Sequence, residues 1–166
     1  MPTIHAIHGD ITQQSVDAIV NAANNAMRGG GGVDGAIHRV GGPAVLSDCI
    51  KRFPKGLATG DAGWTIAGDL PARWVIHTVG PNFRAGQRDR RLLESCYRRS
   101  LETAAELGVE TIAFPLISAG VYGWPKDDAI TVAVDTIGAF SGGVREVRLV
   151  AFDEETHLHI AERIIS

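Results

Sequence analysis

The sequence predicts an α/β protein: a three-layer α/β/α sandwich around a mixed, largely parallel sheet. Three observations predict it. Short continuous apolar runs, of which Glu146–Phe152 is the clearest, suit strands covered on both faces. Longer stretches with helical spacing alternate with them, as parallel crossovers require. The runs at Trp64 and Trp74 have no helix between them, so part of the sheet is expected to be mixed.

Each element follows in order. Thr3–His8 opens the chain as a strand. Ala18–Val20, running into Asn21, reads as a short buried strand. Val33–Val40 is apolar enough for a helix. Pro43 starts another that runs to about Arg52, with Val45, Leu46, Cys49 and Ile50 on one side. Trp64–Ala67 and Trp74–Val79 are β-like. Arg90–Leu107 is the longest helix. Its Leu93, Cys96, Tyr97, Leu101 and Ala104 share a face, and Gly108 supplies the stop. Thr111–Ile117 is a further strand-like run. Pro125–Phe140 starts with proline and acidic residues, as helices do, and Glu155–Ile165 closes the chain.

The 166 residues suit a single domain spanning 1–166. A net charge of −3 argues against bulk binding to nucleic acid or anionic membrane. Arg84, Arg88, Arg90, Arg91, Arg98 and Arg99 cluster, but Asp89 and Glu94 interleave with them. No stacking platform accompanies them, so they read as a solvated helix face. The N-terminus lacks the features of a signal peptide, and no apolar run approaches the roughly 18 residues of a membrane span. A cytoplasmic location is expected, with Cys49 and Cys96 as reduced, packed thiols.

The glycines carry the first functional signal. Twenty among 166 residues exceed the ordinary share of about 7%, and much of the excess lies in Gly29–Gly35. Four consecutive glycines forgo side-chain burial and cost backbone entropy. They provide bare amides that can converge on an anion, ahead of a helix whose N-terminus attracts negative charge. Gly30, Gly32 and Gly35 match G-x-G-x-x-G, but a dinucleotide fingerprint starts at the strand end, and here the glycines begin nine positions later. No Gly-Lys-Ser/Thr occurs, which argues against a Walker A loop. Ser118–Gly123 follows a buried strand and suits a second phosphate loop, or an ordinary turn before the next helix.

Four polar residues in these segments have two readings each. Asp10 can accept a hydrogen bond from an exocyclic amine, or cap the turn at Ile11-Thr12. Asp34 can do chemistry, or merely complement a helix dipole. Asn21 and Asn24 can serve a site, or hold their own turns. The six histidines show no metal-ligand spacing, so neither metal nor cofactor is expected, and His38 and His77 read as structural.

Together these segments resemble the macrodomain family, and within it the MacroD-type ADP-ribose hydrolases. The resemblance rests on Gly9-Asp10-Ile11-Thr12, on Val16–Asn24 (VDAIVNAAN), on Gly29–His38 (GGGGVDGAIH), and on Ala67–Pro71. It continues through His77–Pro81 and Phe114–Gly123 to Phe152–Glu155. It implies that Asp10 reads an adenine amino group beside the Ile11 amide, with Phe152 against the ring. It implies that Gly29, Gly30, Gly31, Gly32 and Val33 hold a diphosphate from one side. Ser118, Ala119, Gly120, Val121 and Tyr122 would hold it from the other, with Tyr122 closing over the distal ribose. Asn21 counts among the ligand-binding residues. Asn24 and Asp34 are the implied catalytic pair, Asn24 on the ribose and Asp34 near its anomeric end.

The implied activity is hydrolysis of an acyl ester on ribose. The substrate would be O-acetyl-ADP-ribose or mono-ADP-ribose on a protein Asp or Glu, so ADP-ribosylated proteins are the implied partners. A non-catalytic ADP-ribose reader is the alternative. Two departures stand out: Phe53–Gly60 lacks a cysteine common in MacroD-type members, and Trp64 is bulky for its strand. Neither is expected to touch the site. Arg28, just before the glycines, is placed to steer acidic substrates.

Overall fold

A computed structural model describes residues 1–165. Six strands, β1 (Thr3–His8), β2 (Ala18–Ala23), β3 (Ala62–Ile66), β4 (Trp74–Val79), β5 (Thr111–Phe114) and β6 (Glu146–Ala151), form one sheet in the order β1-β6-β5-β2-β4-β3. Every pairing is parallel except β3 with β4. The sheet is therefore mixed and largely parallel, as the sequence predicts.

Five α-helices connect and cover the strands: α1 (Gly32–Gly41), α2 (Pro43–Arg52), α3 (Arg90–Glu106), α4 (Lys126–Ala139) and α5 (Glu154–Ile165). The continuous apolar runs have a direct cause. Ala18 and Val20 face the core of α3 and α4, whereas Ile19 between them faces the core of α1. Ile76 and Val75 divide in the same way, as do Ile112 and Ala113. With a side-chain period of two and both faces covered, no position is left for a polar alternation.

Some boundaries differ from the expected ones. β2 continues through Asn21 to Ala23, because the Asn21 side chain finds polar partners inside the protein. β5 stops at Phe114 rather than Ile117, where Pro115 has no N–H to continue a ladder. β3 begins and ends earlier than Trp64–Ala67.

The topology places a crevice. β2 and β5 are neighbours. The chain leaves β2 for α1 on one face and leaves β5 for α4 on the other. Ligands of open α/β sheets bind at such a switch point, outside the carboxyl ends of the strands.

Candidate active site

The loop after β2 opens one side of this crevice. Asn24 braces it: its Oδ1 accepts from Met27 N at 3.3 Å and its Nδ2 donates to Gly29 O at 3.1 Å. Gly29 and Gly32 take φ of 92° and 56°, which side chains disfavour. Gly30 is needed for space instead. A Cβ there would lie 3.1 Å from Asp34 Oδ2 and 3.2 Å from Asn24 Nδ2. Gly31 caps α1 without a side-chain bond, and the first helical bond is Gly35 N to Gly31 O at 3.1 Å. The first-turn amides of Gly32, Val33 and Asp34 therefore stay unpaired within the helix, at its positive end.

Asp34, in that first turn, is only 5% exposed. Its Oδ1 accepts from Asn21 Nδ2 at 2.8 Å, and His38 Nε2 lies 3.4 Å away. Its Oδ2 accepts from none of the described residues and points toward Gly30. Asn21 is wholly buried and sits beneath Asp34 rather than on the crevice wall. It is not a turn residue. Its Nδ2 also meets His77 Nδ1 at 3.1 Å, across directly paired positions of β2 and β4.

The second loop is built by strain and buttressing. Ser118 adopts φ of 66° and is buried. Its carbonyl accepts from Trp124 N at 2.9 Å, and Gly123 N closes onto Gly120 O at 3.0 Å. From below, the buried Tyr97 hydroxyl accepts from Ile117 N at 3.0 Å, and burial pushes that phenol's pKa up. Gly80, just past β4, admits this loop: a Cβ there would lie 2.2 Å from Ser118 Oγ. Val121 at the loop tip is 78% exposed, and Tyr122, half-buried, takes Arg84 N onto its carbonyl at 3.1 Å.

The third part lies past the paired ends of β1 and β6, where His8 is opposite Ala151. Asp10 Oδ1 caps the short turn Ile11–Gln13, accepting from Thr12 N at 2.9 Å and Thr12 Oγ1 at 2.7 Å. Its Oδ2 accepts from no described residue. Ile11 is buried, and Phe152 is 61% exposed. His8 Nε2 lies 2.9 Å from the Phe152 carbonyl oxygen and ties the two strand ends together.

The macro domain family model matches residues 20–133. The chain belongs to the macro domain family. This macrodomain is 55% identical to a macro domain-containing protein of Streptomyces coelicolor over 168 residues, which covers 99% of each chain. It is 48% identical to the O-acetyl-ADP-ribose deacetylase of Escherichia coli K12, covering 98% of this chain and 95% of that one. In structure it is similar to a mutant of the Oceanobacillus iheyensis macrodomain with ADPR. The TM-score is 0.91 at 38% identity, covering 98% of this chain and 90% of that one. It is also similar to a Trypanosoma brucei macrodomain in complex with ADP-ribose, with TM-score 0.88 and 38% identity, covering 97% and 68% of the two chains.

One expectation about this macrodomain needs correction. Phe53–Gly60 does touch the site's flank. Leu57 N donates to Asn25 O at 2.9 Å, Asn25 Nδ2 donates to Leu57 O at 3.0 Å, and a Cβ on Gly56 would collide with Asn25 O at 2.0 Å. The segment braces the turn that leads to the glycines. Trp64 stays away, edge-on to Trp74 with the Arg52 guanidinium 3.7 Å above its ring. Sequence reasoning missed Gly80, Tyr97 and the partners of His77. Cross-strand register brings Asn21 to His77, whereas tertiary packing brings Gly80, past β4, and Tyr97, on α3, to the second loop, and no local spacing signals either.

Proposed function

We propose that this macrodomain binds ADP-ribose and hydrolyses acyl esters on its distal ribose. O-acetyl-ADP-ribose is the first substrate, and mono-ADP-ribose esters of protein Asp and Glu are further ones. The carrying observation is the Asp34 carboxylate. One oxygen is fastened inside the protein, and the other is left toward the glycine loop. The name of the Escherichia coli relative at 48% identity supports the same reading.

On this reading the diphosphate lies between the α1 N-terminus and the Ser118–Tyr122 loop, with both sets of amides turned to it. Adenine lies by Asp10 Oδ2, the Ile11 amide and the Phe152 ring. Asp34 Oδ2 accepts a proton from the attacking water, or fixes that water against the ribose, and Asn24 helps hold the sugar. Water adds to the acyl carbon, the ester bond to the ribose oxygen breaks, that oxygen takes up the proton given up by the water, and ADP-ribose leaves with acetic acid or an acceptor carboxylic acid. Arg28 supports acidic acceptors: its guanidinium is bound by the carbonyls of Ala26, Met27 and Pro54 and no carboxylate among the described residues.

The test measures release of ADP-ribose from O-acetyl-ADP-ribose and from a Glu-linked ADP-ribosyl peptide. Wild type should turn over the first and, more slowly or equally, the second. Asp34→Ala should lose about 100- to 10,000-fold in kcat, the range for removing a positioned acid–base group, with ADP-ribose affinity retained in calorimetry. A wild type that binds ADP-ribose and releases nothing from either ester would sink the hydrolase in favour of a reader.

A further inference from the structure

A line of hydrogen bonds runs from the outer strand β3 to Asp34. Thr65 Oγ1 lies 3.0 Å from the Ile66 carbonyl oxygen and 2.8 Å from His77 Nε2. A carbonyl only accepts, so the single Thr65 proton goes there, and the hydroxyl oxygen takes the proton on His77 Nε2. A neutral imidazole protonated at Nε2 has a bare Nδ1. That atom accepts one Asn21 amide proton at 3.1 Å, and the second goes to Asp34 Oδ1 at 2.8 Å. The opposite polarity would put the Asn21 oxygen 2.8 Å from a carboxylate oxygen. Both ends of the chain therefore select the same direction.

Thr65, His77 and Asn21 are each 0% exposed, so nothing from solvent replaces a lost partner. Period-two geometry explains the meeting: Asn21 lies two residues beyond Ile19, and His77 two beyond Val75, on the face that packs against α1 and, further along the same strands at Ala23 and Val79, against α2. Burial, helped by His38, lowers the His77 pKa to about 3; Asp34 and Asp48 push the other way and lose. Cys49, 3.7 Å from Nε2, and the edge of Phe53 complete its surroundings. The ring stays neutral, and Nδ1 stays an acceptor, across the working pH range.

We propose that Thr65, His77 and Asn21 are positioning residues for hydrolysis: they fasten Asp34 Oδ1 and so leave Oδ2 as the oxygen that faces substrate. This rests on the reading of Asp34 as the catalytic carboxylate. Without the line, the carboxylate can swing and offer either oxygen at a poorer angle, and small misplacements of a reacting group are expensive.

The experiment compares His77→Leu with His77→Asn, whose side-chain oxygen can stand in for Nδ1. His77→Leu should lower kcat on O-acetyl-ADP-ribose roughly tenfold or more, with ADP-ribose Kd within about threefold, and His77→Asn should recover most of the loss. Equal loss in both, or none in His77→Leu, overturns the proposal. If His77→Leu does not fold, the near-isosteric Thr65→Val carries the test; it should lower kcat severalfold, and wild-type kcat overturns the proposal. Nitrogen-15 NMR of the wild type reads the line directly. His77 should show a protonated Nε2 and a bare Nδ1 from neutral pH to about pH 5, whereas a protonated Nδ1 overturns it. A wild type inactive on both esters sinks the hydrolase reading and the positioning role with it. An active wild type matched by His77→Leu sinks the positioning role alone.

Discussion

At the scale of single residues, the glycines of the site do different work. Gly30 gives up its Cβ so that Asn24 and Asp34 can approach each other. Gly80 gives up its Cβ to the Ser118 loop. Gly31 has open space within 4 Å and a φ of −95° that any residue tolerates. Three substitutions separate these roles. Gly80→Ala should lower Tm by several degrees, since overpacking a tight contact costs about 1–3 kcal/mol. Gly31→Ala should leave Tm unchanged. Gly30→Ala should leave Tm close to wild type but reduce kcat, because its methyl presses on Asp34 Oδ2 and Asn24 Nδ2 at 3.1 and 3.2 Å. Differential scanning fluorimetry and ester turnover on the three variants check this, and a Gly30→Ala enzyme with full kcat would refute the assigned contact. The four-glycine run singles out Gly30 as a source of bare amides, not as the space it gives Asn24 and Asp34. The role of Gly80 is not legible, because a lone glycine before a proline reads as any turn, and its neighbour Ser118 is 38 positions away.

At the scale of elements, α3, α4 and the second loop are joined through Asp128. Arg90 donates to both of its oxygens, from Nε at 3.1 Å to each and from Nη2 at 2.9 Å to Oδ1. The Trp124 indole donates to Oδ2 at 2.9 Å, and the Trp124 backbone holds Ser118. The Arg90 hydrogen bonds, against a smaller opposing effect of burial and with help from Trp124, lower the Asp128 pKa below the usual carboxylate value. The sign follows. A carboxyl with a lowered folded pKa contributes stability above its unfolded value and loses it as pH falls through the folded one. Asp128 is 38% exposed at the side chain, so solvent screening keeps the contribution below about 1 kcal/mol. Asp128→Asn should therefore lower Tm slightly at pH 7, with the gap closing below about pH 4. A gap that persists into acid would mean that the shape of Asp128, not its charge, matters.

Elements were also where the sequence was most readable. Pro43–Arg52 has the predicted limits, because proline at its start and basic residues at its end are local signals. The apolar run alone predicts β2 as Ala18–Val20 running into Asn21, an asparagine that also suits a turn, yet the strand continues to Ala23. Asn21 is a strand interior here because Asp34 and His77, 13 and 56 positions on, take both protons of its side-chain amide, while its Oδ1 meets no partner among the described residues. Polar groups whose partners come from other strands cannot be placed by periodicity. The carboxylate at Asp10 illustrates a milder case. Its capping role does not exclude a ligand role, since Oδ1 alone caps and Oδ2 accepts from no described residue.

At the scale of the molecule, the two loops that line the crevice belong to opposite faces of one sheet. The α1 loop grows from the side packed on Ile19 and Ile37, and the Ser118 loop from the side packed on Phe114 and Ile117. Both cores use alternate residues of the same strands, so neither can unfold and leave the other intact. Calorimetry should accordingly show one transition. A ligand that bridges the loops binds only the folded state and adds to stability by mass action. At 100 times its Kd, ADP-ribose should add about 2.7 kcal/mol. A chain of this size moves by about 2–4 °C per kcal/mol, so Tm should rise by about 5–10 °C. Asp34→Ala should show a similar rise, since its carboxylate is assigned to chemistry rather than to holding the diphosphate. A saturating concentration that leaves Tm in place would mean that the two loops do not close on this ligand together. Two separate transitions, only one of them moved, would mean that the faces fold independently and that the crevice is not shared.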